Sequence, residues 1–142
     1  MTIYTIGYEG KTLDEFCRQL VIRHIDALVD IRELPLSRKK GFSKTPLTAH
    51  LQAHDIQYVH VRALGTPRPM RQKLRASGDY ETFFLEYEQH VQHQQNALRD
   101  TMRLAREQRI CLMCFEASHT LCHRYQLSLH FIAAQFCVVH LH

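Results

Sequence analysis

Two short motifs near the C-terminus, Cys114-Phe-Glu116 and Cys122-His-Arg124, bracket a loop of five residues. Together they offer thiols, a carboxylate, an imidazole and a guanidinium within one short stretch. A helix beginning at the second motif, capped by Ser118 or Thr120, puts Cys122 in its first turn. There the helix dipole and Arg124 favour a thiolate. Arg124 has a second use, as a bidentate grip on a carboxylate or phosphate. The competing reading is packing, because Cys122, Tyr125, Leu129 and Ala133 share one helical face. Further upstream, Tyr8 with Glu9, Asp30 with Arg32, and His60 each stand where an apolar run ends. The candidates for catalysis are therefore Cys114, Glu116, Cys122, His60 and Asp30, with a cysteine as nucleophile or redox thiol and His60 or Glu116 as proton carrier. The candidates for ligand binding are Arg32, Ser37, Arg38, Lys44, His123, Arg124 and Tyr8.

Several familiar chemistries are disfavoured. Cys114, Glu116, Cys122 and His123 do not have the paired-cysteine spacing of a zinc site, and the adjacent Cys122 and His123 converge poorly from a helix, so no metal is expected. A phosphatase-type cysteine loop requires an arginine where Thr120 stands. Gly7 and Gly10 are too few for a nucleotide-binding glycine loop, and no cofactor is specified.

The elements that would position these residues alternate. Thr2–Ile6 reads as a strand that stops at Gly7-Tyr-Glu-Gly10, and Thr12 with Glu15 forms a capping box that opens a helix whose inner face includes Cys17. Residues 25–31 form a buried strand with a polar exit, and the long loop from Glu33 to Thr45 is expected to be mobile and to close over a ligand. Thr45-Pro46 starts a helix with Leu47 and Leu51 inward. Residues 56–61 form a third strand, and the Pro- and Arg-rich stretch from Leu64 to Ser77 reads as loop. After a cap at Ser77 or Asp79, an aromatic stripe of Tyr80, Phe83, Phe84, Tyr87 and Val91 marks a core-facing helix, which kinks at residues 93–96 and resumes toward Glu107. Residues 110–115 form a fourth strand, a last helix runs from about Leu121 to Gln135, and Cys137–Leu141 closes as a fifth. This pattern predicts one α/β domain over residues 1–142, a three-layer fold with a mainly parallel sheet of about five strands flanked by helices. In such sheets ligands bind outside the carboxyl ends of the strands.

Composition agrees with that class. The chain has 142 residues, 45% of them hydrophobic, enough for one core, and the expected location is the cytoplasm because no apolar run approaches a membrane span and no signal peptide opens the chain. Five cysteines, an odd number, do not make a secreted disulfide framework. The net charge is +4, but ten of the 18 basic residues fall between Arg32 and Arg75 against only Glu33 and Asp55. That segment reads either as an anion-binding surface or as a solvated basic loop. The partner expected is an anionic small molecule or nucleic acid, and not a membrane.

The motifs Thr5-Ile-Gly-Tyr-Glu-Gly10, Val29-Asp-Ile-Arg32 with Pro35 and Ser37-Arg38, Tyr58-Val-His60, Leu64-Gly65, Cys114-Phe-Glu116 and Cys122-His-Arg124 occur in order along nearly the whole chain. In these the sequence resembles the bacterial and archaeal family called domain of unknown function 488. The resemblance implies a compact α/β domain and supplies no reaction. It points to Asp30, Arg32, Ser37, Arg38, His60, Cys114, Glu116, Cys122, His123 and Arg124 as the shared site. Members often carry Asp-Pro before the Cys-His-Arg motif, where this chain has Ser118-His119. The reading taken forward is an enzyme acting on an anionic ligand such as a nucleotide, nucleic acid or phosphorylated metabolite. The alternative is a noncatalytic nucleic-acid-binding protein that uses the basic stretch from residue 32 to 75.

Overall fold

A computed structural model describes residues 1–142. Five strands, β1 (Thr2–Gly7), β2 (Ala27–Asp30), β3 (Gln57–His60), β4 (Ile110–Cys114) and β5 (Cys137–Leu141), form one sheet in the order β3-β2-β4-β1-β5. Every pairing is parallel. The register sets Gly7 opposite Cys114 and Asp30 opposite both Met113 and His60, so the polar exits named above lie along one edge.

Alternation along the strands builds two cores. Ile3, Ala27, Val29, Ile110 and Leu112 face one way, toward Tyr87, Leu98, Leu127 and Phe131. Ile6, Leu28, Cys111 and Met113 face the other way, toward Phe16, Leu20, Leu47 and Leu51. Helices α1 (Leu13–Ile22) and α2 (Lys44–Gln52) therefore cover one face, and α4 (Tyr80–Gln92), α5 (Gln95–Glu107) and α6 (His123–Ala133) cover the other. The central strands β2 and β4 are buried at every position, which is why they read as unbroken apolar runs.

Local signals act as expected at several ends. Thr12 and Glu15 make the reciprocal capping box of α1, and Asp79 caps α4 by accepting the Thr82 N–H. Three expectations require correction. The stretch from Leu64 to Ser77 is not loop but a short 3₁₀ turn at Arg62–Leu64 followed by helix α3 (Arg68–Ser77). Its prolines sit at the cap and in the first turn, where a missing N–H costs nothing, and its apolar face is only the half-buried Met70 and Leu74, too short a pattern to stand out among the basic residues. Helix α2 begins at Lys44 after Ser43, leaving Pro46 inside the first turn. The last helix is capped by Cys122 itself, because residues His119–Leu121 form a separate 3₁₀ turn after Ser118.

Candidate active site

The switch in connection direction creates the site. The chain leaves β1 and β2 toward α1 and α2, but leaves β4 toward α6 on the opposite face, so the loops part between these neighbouring strands. A crevice at such a parting is the usual ligand position in an open parallel sheet. Here it is a cavity of about 380 Å³, lined by Tyr8 from the exit of β1, Arg32 to Leu36 in part from that of β2, and Cys114 to Glu116 from that of β4. Thr66, Arg71 and Arg75 close one side, and His123 at the start of α6 completes the lining.

Two glycines permit this convergence. A Cβ on Gly7 would lie 1.7 Å from the backbone oxygen of Glu116, so only glycine lets the β4 exit cross the end of β1. A Cβ on Gly65 would meet the backbone of Glu33 at 2.4 Å, so the turn before α3 can rest directly on the β2 exit.

Asp30 and Arg32 hold each other. The Arg32 Nε and Nη2 donate to the two Asp30 carboxylate oxygens at 2.9 and 2.7 Å, and Tyr58 donates its hydroxyl to the same carboxylate. Arg32 Nη1 donates to the Phe42 carbonyl at 2.8 Å and to the Tyr8 hydroxyl at 3.3 Å. Burial works against the charged Arg32, yet Asp30 and Tyr8 more than reverse this and raise its pKa; burial and Asp30 together raise that of Tyr58. Asp30 is 0% exposed and does not reach the cavity, so the carboxylate assigned a catalytic part instead fixes Arg32 in place. His60 is likewise placed behind the cavity. Its Nε2–H donates to the Arg32 carbonyl at 2.8 Å, and its side chain lies outside the cavity lining. His123 does the same for the preceding residue, donating from Nε2 to the Ile31 carbonyl at 2.7 Å. Two imidazoles thus pin successive carbonyls of the β2 exit.

The cysteine motifs behave differently from one another. Cys114, 1% exposed, lies at the cavity wall, whereas Cys122, 2% exposed, lies behind it. Cys122 Sγ accepts the Arg124 N–H at 3.5 Å and lies 3.5 Å from His123 Nδ1. Because His123 Nε2 carries the proton donated to Ile31, the neutral ring has its lone pair on Nδ1, facing the Cys122 thiol. Burial, with Cys114 adding to it, pushes the Cys122 thiol well up despite the favourable His123. Burial lowers the pKa of His123, but Cys122 and the Ile31 carbonyl outweigh it and the net direction is up. Burial thus opposes the thiolate that the helix terminus would favour at Cys122. Cys114 Sγ, a Glu116 carboxylate oxygen and Cys122 Sγ lie within 4.8 Å of one another, and these are the residues able to share a metal.

Arg124 also lies behind the cavity. It is 0% exposed, donating to the Thr5 hydroxyl at 3.0 Å and to the Glu116 and Ala117 carbonyls at 2.8 and 3.0 Å, so it clamps the β4 exit loop from below. Its Nε has no partner. In the loop after β2, Ser37 bonds with Ser43, while Arg38 and Lys44 are exposed and lie outside the cavity lining. That loop is better anchored than its composition implies. Phe42 is fully buried and stacks on Tyr8 with ring centroids 4.6 Å apart, and the Lys44 N–H donates to the Pro35 carbonyl.

The model of the family described as "Domain of unknown function DUF488" matches residues 12–129. The chain belongs to this family. Among curated proteins and solved structures, none matches the chain. Most of the motifs that carry the resemblance fall within the matched span, and in the DUF488 chain they divide into two groups. Tyr8, Arg32, Cys114, Glu116 and His123 line the cavity, whereas Asp30, His60, Cys122 and Arg124 brace it. Sequence reasoning missed Glu33, Leu34, Leu36, Thr66, Arg71, Arg75 and Phe115. For Arg71 and Arg75 the available signal was their four-residue spacing, which shares one helical face only if α3 is recognised as a helix.

Proposed function

We propose that the chain is a thiol-dependent enzyme acting on a small substrate that carries an anionic group on an apolar body, bound in the cavity at the carboxyl edge of the sheet. The observation that supports this most strongly is one cavity whose lining joins the Cys114 thiol and the Glu116 carboxylate to guanidinium groups of α3. Its volume suits a metabolite-sized ligand. The charges are not equivalent. Arg32 is committed to Asp30, and Arg71 is paired with Glu33 at 2.7 Å, which leaves Arg75 as the lining guanidinium with no acidic partner. Arg75 is accordingly the group assigned to the substrate anion, with the Arg71 end of α3 beside it. Tyr8, Leu34, Leu36 and Phe115 supply an apolar wall for the rest of the ligand.

In this reading Cys114 is the nucleophile and Glu116 the proton acceptor. Glu116 takes the thiol proton as sulfur bonds to the electrophilic centre, and returns it to the departing group. Such chemistry suits the cytoplasm, where thiols stay reduced. The nucleic-acid alternative is less well supported, because two of the arginines on which it depends are neutralised by Asp30 and Glu33. It predicts binding that weakens steeply with salt.

The test uses two alkylating reagents of similar size, anionic iodoacetate and neutral iodoacetamide, with exposed Cys137 as the internal reference. The ratio of iodoacetate to iodoacetamide rates is expected to be higher at Cys114 than at Cys137, and Arg75→Ala should bring the two ratios together. Equal ratios in the unaltered protein would overturn the anion assignment.

A further inference from the structure

Cys122 has no part in the proposed reaction, yet it lies within 4.8 Å of the Cys114 sulfur and is fully enclosed. We propose that Cys114 and Cys122 form a reversible redox pair, in which Cys114 is oxidised by a hydroperoxide entering through the cavity and Cys122 resolves it to a disulfide. The inference rests on the cavity reading only in requiring that Cys114 be reached from the cavity.

Three features carry it beyond the nearness of two sulfurs. First, the two thiols differ in access, since Cys114 lines the cavity and Cys122 does not, which assigns the order of events. Second, Cys122 has its own base: His123 Nδ1 lies 3.5 Å from its sulfur, with the ring fixed by the Nε2 bond to Ile31. A thiol enclosed away from solvent needs such a base beside it to attack. Third, the loop that joins the two cysteines is already closed, because Arg124 holds the Glu116 and Ala117 carbonyls and Cys122 caps α6. The entropy of bringing the sulfurs together is therefore spent in folding, and exchange is effectively unimolecular.

The steps balance. Cys114 gives its thiol proton to Glu116, its sulfur attacks a peroxide oxygen, the O–O bond breaks, and the leaving oxygen takes that proton to depart as water or an alcohol. Cys114 is then a sulfenic acid, oxidised by two electrons. Cys122 next gives its proton to His123 Nδ1 and attacks the Cys114 sulfur. The S–O bond breaks and hydroxide leaves with the His123 proton as a second molecule of water. A small thiol reductant reverses the disulfide by exchange. The disulfide removes the nucleophile, so a thiol enzyme built this way is silenced by peroxide without further oxidation of its sulfur.

Trypsin releases Ile110–Arg124 as one peptide holding Cys111, Cys114 and Cys122, which makes the test direct. The folded protein is treated with stoichiometric hydrogen peroxide, denatured, alkylated and digested without reductant. The expected peptide carries a single alkyl group, on Cys111, with Cys114 joined to Cys122, and prior dithiothreitol restores all three labels. In Cys122→Ser, Cys114 should instead accumulate as a sulfenic acid trapped by dimedone. Three labels in the peroxide-treated unaltered protein, or as much dimedone adduct there as in Cys122→Ser, would overturn the pair. Failure here with a preserved iodoacetate preference at Cys114 would remove the redox pair and leave the substrate site standing. The opposite result would do the reverse.

Discussion

Asp30 illustrates how the same residue type serves chemistry or architecture according to what its oxygens touch. Its carboxylate accepts from the Arg32 backbone N–H, from Arg32 Nε and Nη2, and from Tyr58, which leaves it no capacity for a substrate. Removing one partner from a buried pair strands the other, at a cost of about 3–5 kcal/mol. Asp30→Asn is therefore expected to lower unfolding stability by an amount of that order, read from the urea midpoint. A fully stable variant would show that the pair does not hold the β2 exit. The exit residues themselves were legible in the sequence, because apolar runs ending in polar groups mark strand ends. What the sequence does not record is whether each polar group turns into the cavity or is consumed behind it. His60 and Arg124 are consumed by the Arg32, Glu116 and Ala117 carbonyls, whereas Cys114 and Glu116 line the cavity. Cys137 shows the same limit. It stands among apolar residues, but β5 is an edge strand with an alternating face, and the thiol is exposed.

At the scale of elements, strand and helix order was readable from periodicity, and α1, α4 and β5 fall where it placed them. Helix α3 was hidden because periodicity reports burial and not helicity as such, and this helix has no fully buried residue, only the half-buried pair Met70 and Leu74 on its apolar face. The consequence was functional, since α3 carries both Arg71 and Arg75. The crossing of the β1 and β4 exits offers a sharper test of how elements make the site. Gly7→Ala leaves the backbone conformation allowed but drives a methyl into the Glu116 and Ala117 backbone. The expected result is a loss of about 1–3 kcal/mol, as for overpacking elsewhere, together with a changed alkylation rate at Cys114 as the loop shifts. An unchanged stability and rate would mean that the two exits do not cross so closely.

Across the whole molecule, a histidine cluster outside the cavity lining ties stability to pH. His140 Nδ1 lies 2.6 Å from the Thr5 hydroxyl, which itself accepts from Arg124, and its ring stacks on His119 with centroids 3.7 Å apart. Burial, with His119, the Arg124 charge and His142 adding to it, depresses its pKa to about 4. The unfolded chain, with an ordinary histidine near 6.5, binds this proton first, so stability is full above about 6.5 and declines as pH falls toward about 4. His123 has the opposite sign, since its raised pKa makes its contribution fade as pH rises. A comparison with His140→Gln isolates the first effect: the unaltered protein should lose more stability between pH 7 and pH 5 than the variant. Equal losses would contradict the assignment of His140 as a half-buried ring held neutral in the folded state.

The cavity between the exits of β1, β2 and β4 is proposed above all to be an anion-binding thiol site. Inorganic phosphate is the simplest probe of it, and the rate of Cys114 alkylation by iodoacetamide at constant ionic strength is the measurement. Increasing phosphate is predicted to slow labelling of Cys114 in a saturable way while Cys137 is unaffected, and Arg75→Ala should abolish the protection. Labelling of Cys114 that is indifferent to phosphate, or protection that survives unchanged in Arg75→Ala, would contradict it.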